Sequence, residues 1–322
     1  MTSLLTLVLL SVVGQSTAPA TRATHQSQDA IGIQVALDRA GFSTGVIDGR
    51  IGANTKRALE AYRLQHQTDP APHPQPLLEY RITAADVAGP FSANIPKDLI
   101  EQSKLPALGY RSVQEALAER FHSTPEFLRT LNASAAFEEN AVVLVPNVEP
   151  FTLPPPEPPA PKDTTPRPTG TSGRTGANET AKNDLPSVVV RVSMTERSLT
   201  VTDADGKIVF FAPVTTGSEH DPLPIGEWKV NGVQRNPTFK YNPDLFWDAD
   251  PSHTKATIPP GPNAPVGVVW IDISKEHYGL HGTPEPSQIG RTESHGCVRL
   301  TNWDAWRLAA LVKPGTRVVF AE

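Results

Sequence analysis

From Val188 onward apolar and polar positions alternate. Val188, Val190, Val192 and Met194 fall on one side of an extended backbone, and Val189, Arg191 and Ser193 on the other. That period of two predicts a half-buried strand. Residues 199–202, 207–215, 227–233 and 266–273 read as further strands, and Asp205-Gly206 as a hairpin turn. Near the end, Asn302 or Thr301 caps a helix over 303–312, Pro314-Gly315 stops it, and 316–320 forms a last strand.

Upstream the period changes. Ile33, Ala36, Leu37 and Ala40 recur at helical spacing, and Gly41 marks a stop. A loop over 45–52 carries an Asp48-Gly49 turn, and a second helix shows Thr55, Ala58, Leu59 and Tyr62 on one face. A further helical stripe, Val113, Leu117 and Phe121, follows Ser112 and Glu115, which have the spacing of a capping box. Thr124-Pro125-Glu126 restarts a helix to Leu131-Asn132, and 141–145 reads as a short strand closed by Pro146.

Prolines punctuate this pattern. Pro70, Pro72, Pro74 and Pro76 mark a linker within 69–107, a stretch the sequence leaves uncertain; 82–100 reads alternatively as packing onto a neighbour, with no role assigned. The prolines at 154–156, 158, 159 and 161, followed by Thr-, Gly- and Ser-rich sequence, mark 149–186 as a second linker. Polyproline II favours extension there, and the apolar content is too low to order the segment. Such a tether is expected to give the last domain reach while the earlier modules stay bound.

The first residues suggest export. The apolar run 4–13, followed by Ala18-Pro19-Ala20, predicts a signal peptide over 1–20, with an uncleaved anchor as the second choice. The run is short for a membrane span. A net charge of −5 gives no support to nucleic-acid binding, which requires a basic face.

The chemistry concentrates near the C-terminus. Cys297 is the only cysteine of 322 residues, so it has no partner for an internal disulfide. A lone thiol outside the cytosol reads as reactive; a buried structural thiol is the plainer alternative. His281 and His295 lie close by in sequence, and an imidazole is a common means of lowering a thiol pKa. Gly282 and Gly296 allow backbone to approach a bound group.

The run Tyr278-Gly279-Leu280-His281-Gly282-Thr283, then Pro286, Ile289-Gly290 and Ser294-His295-Gly296-Cys297-Val298-Arg299-Leu300, resembles the catalytic motif of the L,D-transpeptidases, the YkuD-like family that cross-links bacterial peptidoglycan. Thr215-Thr216-Gly217 and Pro224-Ile225-Gly226-Glu227-Trp228 match further elements of that family. The resemblance implies Cys297 as nucleophile and His281 as general base and then acid, its ring oriented by the Gly282 carbonyl. It also implies an oxyanion hole from the N–H groups of His295, Gly296 and Cys297, with Ser294 and His295 in supporting roles. Arg299 stands where the commoner family motif has Asn; it suits a substrate carboxylate, with an ordinary ion pair as the alternative. Trp247 is expected at the cleft, and no cofactor is implied.

Residues 28–68 resemble the small helical peptidoglycan-binding domain, through Gly45, Asp48-Gly49, Gly52, Thr55 and Ala58. Residues 108–148 resemble the latter part of a LysM domain, without its first strand and with Ala133 where a proline is expected. The expected fold is therefore multidomain: a small all-α N-terminal domain, a small α+β LysM-like module, and a mainly-β YkuD-like catalytic domain over 187–322 with one late helix. The expected partners are stem peptides and glycan strands of peptidoglycan, or a lipoprotein acceptor, in the periplasm or cell wall. On the same site, water as acceptor makes an L,D-carboxypeptidase and a protein lysine makes a lipoprotein ligase. Two readings of other classes are a zinc hydrolase using His281, His295 and Cys297, and a wall-binding protein without catalysis. No H-E-x-x-H spacing supports the zinc reading.

Overall fold

The computed structural model describes residues 18–153 and 187–322. The expected signal-peptide run 4–13 and the body of the Pro-rich linker, 154–186, lie outside them. No helix among the described residues is long and apolar enough to cross a membrane.

The chain opens with helices α1 (Ala18–Arg39) and α2 (Ala53–His66). Gly41, at φ +85°, ends the first with its Cα against the Val209 carbonyl, a conformation and an approach that a side chain would strain. Next come strand β1 (Leu77–Arg81), helices α3 (Ala84–Val87), α4 (Leu99–Ser103), α5 (Val113–Arg120) and α6 (Pro125–Leu131), and strand β2 (Val142–Pro146). The two strands pair antiparallel from Leu77↔Pro146 to Arg81↔Val142. Val143 and Val145 point inward onto Leu117, Phe121 and Leu128, so the strand's alternation and the helical stripe share one core.

The C-terminal domain contains β3 (Val189–Ser193), β4 (Ser198–Thr202), β5 (Ile208–Pro213), β6 (Gly226–Arg235), β7 (Phe239–Tyr241), β8 (Ala256–Ile258), β9 (Val269–Ile273), β10 (Gly279–His281), β11 (Val298–Arg299), helix α7 (Asn302–Leu311) and β12 (Arg317–Ala321). Eight strands form one sheet in the order β11-β10-β9-β6-β12-β3-β4-β5, and β7 pairs with β8 outside it. The sheet curls until its ends meet: Thr215, just past β5, exchanges both backbone bonds with Arg299 of β11, at 3.0 and 2.8 Å. Val190, Val192, Leu199, Val201, Ile271, Leu280 and Val298 fill the inside, and Trp303, Ala305 and Leu308 of α7 cover it. Thr301, one of the two capping candidates, caps α7 by accepting from the Asp304 N–H.

Three expectations need correction. Residues 69–107 are linker only in part: β1 lies within them, Ile82 is buried, and Ile95 and Ile100 pack beside Ile258, the neighbour contact that is the alternative for 82–100. The sequence hid this strand because its burial is only partial and its partner lies more than 60 residues away. The second linker does not begin at 149, because Phe151 sits in the core of the C-terminal domain with its ring 5.9 Å from Trp306. Ser112 accepts from the Glu115 N–H, but Glu115 turns to the Arg111 backbone and guanidinium, so the box is half formed.

The modules are docked rather than merely tethered. Ser43 N–H bonds the Phe211 carbonyl at 2.8 Å, and Ser43 Oγ donates to Asp304 Oδ2 at 2.8 Å. Asp38, fully buried on α1, takes both Arg307 guanidinium nitrogens at 2.9 and 3.0 Å and faces His122 Nδ1 at 3.1 Å. The His122 ring in turn stacks on Trp303. Burial alone would raise the Asp38 carboxyl, yet His122 and Arg307 overcome it and hold the group well below its ordinary value. A carboxylate held down in this way adds stability above its unfolded pKa and loses it as pH falls below that value.

Arg307→Ala leaves the Asp38 charge buried with its principal partner gone. The expected cost is about 3 kcal/mol, at the low end for breaking a buried pair. Urea unfolding of the full chain measures it, and an unchanged midpoint would show that the pair does not hold the interface.

Candidate active site

Strand pairing builds the site. β10 and β11 run parallel with Leu280↔Val298 and His281↔Arg299 in register. Leu280 and Val298 face the core, so the neighbours of each, His281, Arg299 and Cys297, share the opposite face. Strands lie about 4.8 Å apart and rise about 3.3 Å per residue, so the Cα atoms of Cys297 and His281 stand about 8 Å apart on a diagonal.

His281 is buried and tightly placed. Its Nδ1 lies 2.7 Å from the Gly282 carbonyl, which only accepts, so Nδ1 carries the proton and Nε2 keeps its lone pair. Trp270, paired with it on β9, stacks on the ring at 5.5 Å between centroids. The same indole covers Gly279, where any Cβ would strike it at 2.6 Å. Burial, and after it the Arg299 charge, depress the imidazole to about 3.

Cys297 is half-buried, and its Sγ lies 3.8 Å from the His277 carbonyl. Burial raises the thiol above its ordinary value, against the opposing effects of the Gly279 N–H and the Arg299 charge. Burial thus disfavours the charged form of both groups, and thiol and imidazole are neutral at rest.

The loop before the thiol is held from two sides. Ser294 Oγ donates to the Cys297 carbonyl at 2.6 Å, and its N–H bonds Thr216 O at 2.9 Å. Gly296 adopts φ +96° with its Cα packed on the Tyr278 ring, leaving no room for a Cβ. Among the described residues, no acceptor takes the N–H of His295, Gly296 or Cys297, so these donors stand open beside the sulfur.

His295 turns away from His281. Its Nε2 meets Asp248 at 2.8 Å, and Phe246 packs edge-on at 5.1 Å. Both residues belong to the segment between β7 and β8, which folds over the cysteine loop. Trp247, on that segment, is 61% exposed and stacks on His220 at 4.4 Å. Nothing in the sequence marked Asp248 or Phe246, because their place over His295 comes from the segment's path.

Arg299 lies beside both His281 and Cys297. Its Nε is buried without a partner, and no ion pair to it occurs among the described residues. No group of three or more His, Cys, Asp or Glu among the described residues could hold a metal ion. The sequence's zinc set is divided: His281 is bonded to Gly282, and His295 to Asp248.

Residues 187–320 match the family model of the L,D-transpeptidase catalytic domain, YkuD. A Bacillus licheniformis protein named as the L,D-transpeptidase YkuD is 33% identical over 129 residues, 40% of this chain and 62% of its own. Escherichia coli YbiS, also named as an L,D-transpeptidase, is 34% identical over 119 residues, 35% of this chain and 38% of its own. The chain thus spans about 62% of the first of these relatives. The solved L,D-transpeptidase 3 of Mycobacterium tuberculosis, in complex with a faropenem-derived adduct, aligns with 42% of this chain and 61% of its own, at 21% identity and a TM-score of 0.35. The YkuD match covers β3 to β12 and stops short of the docked N-terminal modules.

With its pKa near 3, His281 should stay neutral across the physiological range. Between pH 6.5 and about 3 the unfolded chain binds a proton that the folded chain refuses, so this residue makes stability fall as pH falls. Side-chain 15N NMR should find one Nδ1–H tautomer with no titration from about pH 5 to 8. A midpoint near the ordinary histidine value would show that the ring is open to solvent.

Proposed function

We propose that this protein is a peptidoglycan L,D-transpeptidase acting through an acyl-enzyme on Cys297. The observation that carries the reading is the shared sheet face: a thiol, an imidazole with a free Nε2 and an unpaired guanidinium converge within the matched domain.

In this reading the donor is a tetrapeptide stem. His281 Nε2 takes the Cys297 proton as sulfur attacks the carbonyl carbon of the third residue. The C–S bond forms, and the carbonyl electron pair moves to oxygen, toward the open N–H groups of Gly296 and Cys297. Collapse breaks the C–N bond, and the His281 imidazolium gives its proton to the departing D-alanine nitrogen. The thioester is then resolved by the amine of a second stem, whose proton passes to His281 while the thiolate leaves. Proton exchange between the two restores the neutral resting pair.

Arg299 supplies the charge complement. Its guanidinium, buried in part and unpaired, suits a donor carboxylate, which a fork of donors can hold in two places. Ser294 and His295 keep the loop in shape: one bonds the Cys297 carbonyl, the other ties the overlying segment through Asp248. Trp247, exposed on that segment with its ring 6.0 Å from that of His295, is the surface this reading assigns to the remainder of a stem or its sugar.

A disaccharide-tetrapeptide incubated with the full chain should yield a thioester on Cys297 and a cross-linked dimer, both seen by mass spectrometry. Hydrolysed tripeptide without dimer would point to water as acceptor. Cys297→Ala should abolish all products, and His281→Ala should slow acylation by about 10²–10⁴-fold, the usual contribution of a general base. Product from Cys297→Ala, or no adduct on wild type with either stem or a carbapenem, would defeat the proposal.

A further inference from the structure

A buried acid from outside the matched domain reaches the support of the catalytic histidine. Glu119, on α5, accepts from Asn302 Nδ2 with both carboxyl oxygens, each at 3.1 Å. The other contact of that amide nitrogen is the Pro262 carbonyl at 3.0 Å, so the carboxamide orientation is fixed. Asn302 Oδ1 accepts the Val268 N–H at 3.2 Å and lies against two glycines. A Cβ at Gly267 would fall 2.0 Å from this oxygen, and one at Gly282 would fall 2.1 Å from it. The Gly282 carbonyl is the group that holds His281 Nδ1.

We propose that Glu119 is a positioning residue for His281. It fixes the Asn302 carboxamide as a wedge between Gly267 and Gly282, and the Gly282 peptide transmits that placement to the imidazole. The docked N-terminal module thereby completes the site that β10 and β11 begin. The inference rests on the reading of His281 as the base, and its first readout is independent of activity.

The surroundings of Glu119 agree with a neutral hydrogen-bonding role. Burial raises its carboxyl to about 8, against the lowering effects of Asn302 and Tyr110, and Glu115 adds to the rise. Tyr110 donates to its Oε1 at 2.9 Å. As a protonated acid it still offers an oxygen to Asn302, and a glutamine in its place would offer the same. Removing that acceptor strands a buried amide N–H, which then seeks another partner.

The test uses the full chain labelled with 15N histidine, as wild type, Glu119→Gln, Glu119→Ala and Glu119→Leu; the leucine keeps the volume should the alanine variant unfold. Wild type and Glu119→Gln should show His281 in the single Nδ1–H tautomer. The folded variants without the acceptor should show exchange into the second tautomer. Acylation of Cys297 by a carbapenem should fall about tenfold to a hundredfold in those variants and recover in Glu119→Gln. A folded alanine or leucine variant with a wild-type His281 spectrum would overturn the proposal, even if its melting point drops. An intact spectral effect in a protein that no carbapenem acylates would instead indict the transpeptidase reading.

Discussion

The pair of backbone bonds between Thr215 and Arg299 is the constraint from which the site follows. It ties the tail of β5 to β11 and so closes the curled sheet at its two ends. β11 is only two residues long, and a strand that short would fray as a free edge. Paired on one side with β10 and on the other with Thr215, it is held flat. A slip of one residue would turn Cys297 and Arg299 into the core and bring Val298 out. The buried Leu280 and Val298 oppose that slip, because exposing two aliphatic side chains and burying a guanidinium both cost free energy.

Charge and burial then set the resting chemistry. Sulfur and imidazole both lie near the Arg299 guanidinium, and burial disfavours the charged form of both. A preformed thiolate–imidazolium pair would have to overcome that desolvation unaided. The thiol and imidazole therefore rest neutral, beside a guanidinium whose Nε has no partner among the described residues.

The N-terminal modules take part in this arrangement through buried polar contacts. Asp38 with Arg307, Ser43 with Asp304, and Glu119 with Asn302 all meet α7 or its first residue. None of these pairs is visible as a motif, since their members lie more than 180 residues apart. The chain between the modules and the domain looked like a tether because proline content reports local stiffness and says nothing of what its flanks touch. The later part of 69–107 packs on β8 and the segment before it: Leu99 and Ile100 beside Ile258, and Asp98 on His253 at 2.9 Å.

The sequence by itself determined the local matters. The alternation from Val188 and the strand runs after it located β3 to β6, the helical stripes located α1, α2 and α5, Thr124-Pro125-Glu126 located α6, and the run around Cys297 supplied the candidate site residues. β10 and β11 escaped it, because three and two residues are too few to show a period. Only the tertiary structure decided which way those residues face. It turned His295 toward Asp248, set Trp270 on His281, gave Arg299 no ion pair among the described residues, and brought Glu119 to Asn302. The reason is physical: side-chain period is written in neighbours along the chain, whereas register, burial and charge pairing depend on which distant strand or helix arrives beside them.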